Sequence, residues 1–241
     1  MLFFSKFTVS FQGAAGRQKS CFKNVDIGFV IDSSDSATVQ EYQQQKELIQ
    51  QLSSYYDISR EDTRVGVIVY SDNAYTVVGL NSYRDSSIFQ RAVRALPRIG
   101  GDNRKDKALI AARRMFKAKR PPGHAGSEKP SQVLVFITEG AQSTAANTLP
   151  LEHFVHPLRK HGVRVVLVGI GWKVVYQELR NIAQRPSDIY LTSSLADADK
   201  VSRDLIEIIC RVSSNFYLTQ IERPPALLKE MLRNIVRLTV S

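Results

Sequence analysis

Phe29 to Ser36, read as FVIDSSDS, is the stretch that decides the fold. An apolar run from Asp26 to Ile31 meets a carboxylate at Asp32, and Ser34 and Ser36 follow at alternate positions. Apolar residues in unbroken succession, rather than in alternation, predict a strand covered on both faces, as in a parallel sheet. A loop curling over the end of that strand aims Asp32, Ser34 and Ser36 at one point. Carboxylate and hydroxyl oxygens are hard donors, suited to Mg2+, Mn2+ or Ca2+. The same side chains also suit a loop that they only cap and brace.

Three more runs of the same kind follow: Arg64 to Tyr70 (RVGVIVY), Gln132 to Thr138 (QVLVFIT) and Arg164 to Ile170 (RVVLVGI). Ala74 to Leu80 comes just after the turn residues Ser71, Asp72 and Asn73, which predicts an antiparallel hairpin. Ile189 to Thr192 is a short sixth strand. Between the strands, apolar residues recur with helical period over Val39 to Tyr55, Ile88 to Leu96, Ala108 to Lys117, Leu151 to Lys160, Tyr176 to Ala183 and Asp197 to Val212. Alternation of this sort predicts an α/β fold: a doubly wound, mostly parallel six-stranded sheet with one antiparallel edge strand and helices on both faces. A ligand site in such a fold lies beyond the carboxyl ends of the strands, where the winding reverses. The run Gln132 to Thr138 leads into ITEG, which places Glu139 at the same edge as Asp32, and the loop GGDNRKDKAL, Gly100 to Leu109, faces it.

The 241 residues are enough for one substantial core, so a single domain is expected over 21–214, with an amino-terminal extension at 1–20 and a tail at 215–241. Asn215 to Pro225 reads as coil, and 226–238 (ALLKEMLRNIVRL) as an amphipathic helix that docks or begins a neighbouring module, with a membrane-surface helix as the alternative. The run MLFFSKFTVS is interrupted by Lys6 and makes a poor secretory signal, and no window is long and apolar enough to cross a bilayer.

Lys and Arg number 33 against 23 acids, and between Arg104 and Arg120 the sequence has eight basic residues and one acid, Asp106. Arg113, Lys117 and Arg120 share one helical stripe that suits sulfate or phosphate, and a solvated helix face is the plainer reading. No aromatics interleave with these charges to stack bases, so no nucleic-acid role is expected. His153 and His156 lack a third ligand and read as surface residues; Trp172, just past a strand end, reads as a loop-packing residue, with an exposed binding anchor as the alternative. No nucleophile elbow, phosphate loop or dinucleotide turn follows any strand, so no enzymatic chemistry is expected. Cys21 and Cys210 admit either one structural disulfide or two inert thiols.

Five pieces in order, VIDSSDS, RVGVIVYS, GGDNRKDKAL, VFITEG and VLVGIG, resemble the von Willebrand factor type A domain from Asn24 to about Ser213. The resemblance implies a metal-ion-dependent adhesion site at Asp32, Ser34, Ser36, Asn103 and Glu139, holding Mg2+ or Mn2+. Asn103 stands where the family carries threonine and Glu139 where it carries aspartate, so the implied site is degenerate. It also implies a disulfide between Cys21 and Cys210 and a non-enzymatic adhesion module, secreted into the extracellular matrix. The implied partners are a protein ligand such as collagen or another matrix component, or a sulfated glycosaminoglycan. The alternative is an intracellular scaffold subunit of a larger complex.

Overall fold

The first strand, β1 (Val25–Asp32), is buried at every position, as its unbroken apolar run requires. It lies in a computed structural model that describes residues 24–59, 63–119, 130–143 and 149–221, with side chains described as far as residue 210. β1 pairs in parallel with β2 (Arg64–Tyr70) on one side and β4 (Ser131–Thr138) on the other. β3 (Ala74–Val78) adds antiparallel to β2, while β5 (Val163–Ile170) and β6 (Ile189–Thr192) extend the sheet beyond β4 in parallel. The order is β3-β2-β1-β4-β5-β6. The chain therefore winds outward from β1 one way and then restarts on its other side at β4. That reversal puts the carboxyl ends of β1 and β4 at the switch point, as the strand pattern predicts.

Alternate strand residues face two separate cores. Ile27, Phe29 and Ile31 pack with helices α1 (Val39–Ser54), α2 (Ser86–Arg94) and α6 (Ala198–Ile221). Val30, Tyr70, Leu134 and Phe136 pack with α3 (Lys105–Met115), α4 (Leu151–Lys160) and α5 (Tyr176–Ile182). Gly28 and Gly66 open this second face to Met115, because a Cβ on either would stand 2.4–2.5 Å from that side chain. At the sheet end remote from Asp32, the buried Asp26 takes two bonds from the Arg64 guanidinium, at 2.8 and 2.7 Å.

Two boundaries differ from the sequence reading in ways that matter. α3 starts at Lys105, three residues before Ala108, because Lys105 and Asp106 are buried and paired rather than solvated. Asn215 to Ile221 is helix, not coil. Its low-propensity residues each cost only a few tenths of a kcal/mol, too little to stop a long helix. Arg120, Cys21, the 1–20 extension and the 226–238 segment lie outside the described residues. Among those described, no helix is long and apolar enough to cross a membrane.

Candidate functional site

Asp32, at the last position of β1, is fully buried. Its Oδ1 accepts from the backbone N–H of Ser34 at 3.0 Å and from Ser34 Oγ at 2.6 Å. Its Oδ2 accepts from Tyr70 Oη at 2.9 Å, Asn103 Nδ2 at 2.8 Å and the backbone N–H of Glu139 at 3.1 Å, with Thr138 Oγ1 at 3.2 Å. One carboxylate thus ties together the ends of β1, β2 and β4 and the loop before α3. Ser34 Oγ and Ser36 Oγ are 2.6 Å apart, and Asn103 Nδ2 donates to Ser36 Oγ at 3.0 Å. Asp32, Ser34, Ser36 and Asn103 therefore close a ring of hydrogen bonds.

The orientation of Asn103 is set from behind. The Lys105 side chain has no exposed surface, and its Nζ donates to Asn103 Oδ1 at 3.0 Å and to the carbonyl of Gly140 at 2.6 Å, with Glu178 Oε2 at 3.2 Å. An ammonium has only donors, so the amide oxygen must face it and the NH2 must face Asp32. Burial pulls the Lys105 pKa down, and the Glu178 and Asp32 carboxylates oppose that shift.

Glu139 also turns away from the ring. Its Oε1 accepts from Gln45 Nε2 at 2.6 Å, and Gln45 in turn brackets the backbone N–H and C=O of Asp32 at 2.9 and 3.2 Å. Burial, together with the neighbouring Glu41 carboxylate, raises the Glu139 carboxyl to about 8, so it is mostly protonated at neutral pH.

The surrounding loops are stitched to this centre. Ser33 Oγ accepts from the N–H of Ile99 at 2.6 Å, and the N–H of Asp35 reaches the carbonyl of Gly101 at 2.8 Å. Gly101, at φ +97°, lies so close to Asp72 that a Cβ would stand 2.5 Å from its carboxylate. Asp72 Oδ1 accepts from the N–H of Asp102 at 2.7 Å. Of the extra charges in the loop, Arg104 pairs with Asp106 and Asp35 with Arg98, while Lys107 donates to the Asp72 backbone carbonyl and to Asn73 Oδ1. Only Lys105 points inward.

The five sequence-predicted positions are thus gathered at one place. As arranged, they do not fit a divalent cation. Two ring positions, Asp32 Oδ2 and Ser36 Oγ, already take the protons of the Asn103 amide, and the Glu139 carboxyl faces Gln45 and Glu41. The arrangement is closer to the capped and braced loop that the sequence also allowed.

Sequence reasoning missed Tyr70, Thr138, Gln45 and Glu178. Gln45 left a signal: it is a polar residue on the stripe that buries Tyr42, Leu48, Ile49 and Leu52. Trp172 is a correction. It does not pack a loop but is 89% exposed, because it follows β5 on a turn entered through Gly171 at φ +74°. With Val174, Tyr176 and Leu191 it lines an apolar shelf beside the ring, and Lys173 Nζ lies 3.5 Å from the carbonyl of Ser36. Arg113 and Lys117 are exposed as predicted and line a separate cleft of about 270 Å³ with His161. His153 and His156 are exposed.

The sequence matches a family model, the von Willebrand factor type A domain, over residues 26–205. It is 29% identical over 187 residues to the collagen alpha-4(VI) chain of Mus musculus, covering 77% of this chain and 8% of the relative. Vitrin of Mus musculus is 25% identical over 195 residues, covering 80% of this chain and 28% of the relative. The chain therefore spans well under two thirds of these relatives. Among solved structures, proximal thread matrix protein 1 from the mussel byssus, with its MIDAS motif occupied by zinc, superposes with a TM-score of 0.67 at 26% identity over 79% of this chain and 46% of that one. The strand order, the switch-point ring and the family match agree: this chain belongs to the von Willebrand factor type A domain family.

Proposed function

We propose that the domain is a non-enzymatic adhesion module of an extracellular matrix or cell-adhesion protein, docking a protein ligand such as collagen at the strand-end face. The Trp172 shelf carries this reading. Trp and Tyr dominate the energetics of protein interfaces, and binding residues favour loops held by a rigid scaffold. Trp172, at 89% exposure, stands on such a loop, with the half-exposed Tyr176 and Leu191 beside it. The relatives support the setting, since two of them are named as a collagen chain and as vitrin. The Mg2+ or Mn2+ that the resemblance implies has no part in this reading, because the donor set does not fit it.

A secreted domain also makes the Cys21–Cys210 disulfide part of the proposal. Mass measurement under non-reducing conditions checks it, and two free thiols would favour an intracellular scaffold instead. For the docking face, the test is binding of immobilised collagens and matrix extracts by the intact chain and by Trp172→Ala. Loss of at least about tenfold in affinity with an unchanged melting temperature is expected, as for an interface anchor. Equal binding by both would remove the shelf from the interface.

A second reading rests on Arg113 and Lys117, which face solvent across the cleft with His161. These two offer a surface for sulfated glycosaminoglycan, and the sequence adds Arg120, outside the described residues, at the next position of the same helical stripe. Retention on heparin that falls steeply with salt, and falls again when the three are neutralised together, is the expected result.

A further inference from the structure

The misfit between the five positions and a cation has a cause on the opposite side of Asn103. We propose that the buried Lys105 ammonium, acting through the Asn103 amide, takes the place of the divalent cation and holds the strand-end loops in one assembled state without metal.

A chain of hydrogen bonds links the lysine to the ring. Lys105 Nζ has three acceptors around it, Asn103 Oδ1, the Gly140 carbonyl and Glu178 Oε2, one for each ammonium proton. Inverting the Asn103 amide would point its NH2 at that ammonium, donor against donor, in a place without water access. The NH2 is therefore fixed toward Asp32 Oδ2 and Ser36 Oγ, at 2.8 and 3.0 Å. Positive charge reaches the Asp32 carboxylate through one polarised N–H bond, and the Ser36 hydroxyl through the other, rather than as a metal ion. The Asn103 amide spans the ring and the lysine, which a threonine hydroxyl is too short to do. Lys105 itself is held at the base of α3, whose first N–H bonds to Gln142 Oε1 at 2.7 Å. Lys105 is a positioning residue in this scheme: it touches no ligand and acts through Asn103.

Metal uptake depends here on the geometry of the ring and not on what docks at this face, so it and partner binding can fail independently. The experiment is calorimetric titration of Mn2+, up to millimolar concentration, into the intact chain, Asp32→Ala, Lys105→Met and Asn103→Asp, with melting curves for each with and without the metal. The unmutated chain is expected to take up no Mn2+ and to melt at the same temperature with metal or chelator. Lys105→Met frees the amide to invert and present Oδ1, and should go from no uptake to one Mn2+ per chain within the millimolar range of the titration. A purely structural lysine would lower the melting temperature without creating that uptake. Asn103→Asp keeps Lys105 but replaces the NH2 with an oxygen, and should gain the same single site, which preserves the test if Lys105→Met does not fold. One Mn2+ bound by the unmutated chain and lost in Asp32→Ala would overturn the proposal. So would a folded Lys105→Met, or Asn103→Asp, that stays silent to Mn2+.

Discussion

Glu139→Gln offers a test of the strand-end electrostatics in which the sign is fixed in advance. The Glu139 carboxyl is raised from an ordinary value of 4.5 to about 8 by burial and by Glu41. Between those values the unfolded chain releases this proton and the folded chain keeps it, so the folded state loses stability as pH rises. The contribution is fully present below about pH 4.5 and gone above about pH 8. One group can contribute at most about 1.4 kcal/mol per pH unit, or roughly 2.7 kcal/mol between about pH 5 and 7. Glu41 stands partly in water, which screens its share and leaves roughly 1–1.5 kcal/mol. The introduced glutamine would keep the acceptor for Gln45 Nε2 and place an NH2 where the acid proton lies, mimicking the protonated side chain. Urea unfolding at about pH 5, 7 and 8.5 reads the difference directly. The variant should match the unmutated chain at about pH 5 and exceed it by about 2 kcal/mol at about pH 8.5. An equal stability difference at all three pH values would refute the reasoning.

Arg64→Ala strands the Asp26 carboxylate in the core and should cost about 3–5 kcal/mol in chemical denaturation. Gly101→Ala combines a left-handed backbone with a Cβ driven into Asp72, and a loss of about 1–3 kcal/mol is expected by the same method. Trp172→Ala should leave stability within about 0.5 kcal/mol, since the ring is nearly all in solvent, while weakening partner binding.

The sheet was legible because a doubly covered strand must be apolar at nearly every position, and β1, β2, β4 and β5 obey that rule. Sequence reasoning also brought Asp32, Ser34, Ser36 and Glu139 to one edge, since that edge follows from the strand ends, whereas Asn103 was picked out of its loop by the family resemblance. What it could not supply was direction. Arg104, Lys105 and Lys107 are alike as letters, yet Arg104 and Lys107 pair outward and Lys105 turns inward beneath Asn103. That choice depends on where α3 starts, and a charged first turn gives no hydrophobic period to mark it. The exposure of Trp172 was left as the lesser alternative for a similar reason: an aromatic after a strand packs or protrudes according to the turn, and Gly171 sends it outward. Tyr70 and Thr138 read as ordinary strand residues, although their hydroxyls reach the same carboxylate.

The claim that the strand-end face is assembled by Lys105 and Asn103 rather than by a metal is tested most directly by anomalous diffraction from a crystal soaked in Mn2+. The account predicts no anomalous peak among Asp32, Ser34 and Ser36, with the Asn103 amide nitrogen still in hydrogen-bond contact with Asp32. A full-occupancy peak coordinated by those three side chains, with Asn103 displaced, would contradict it.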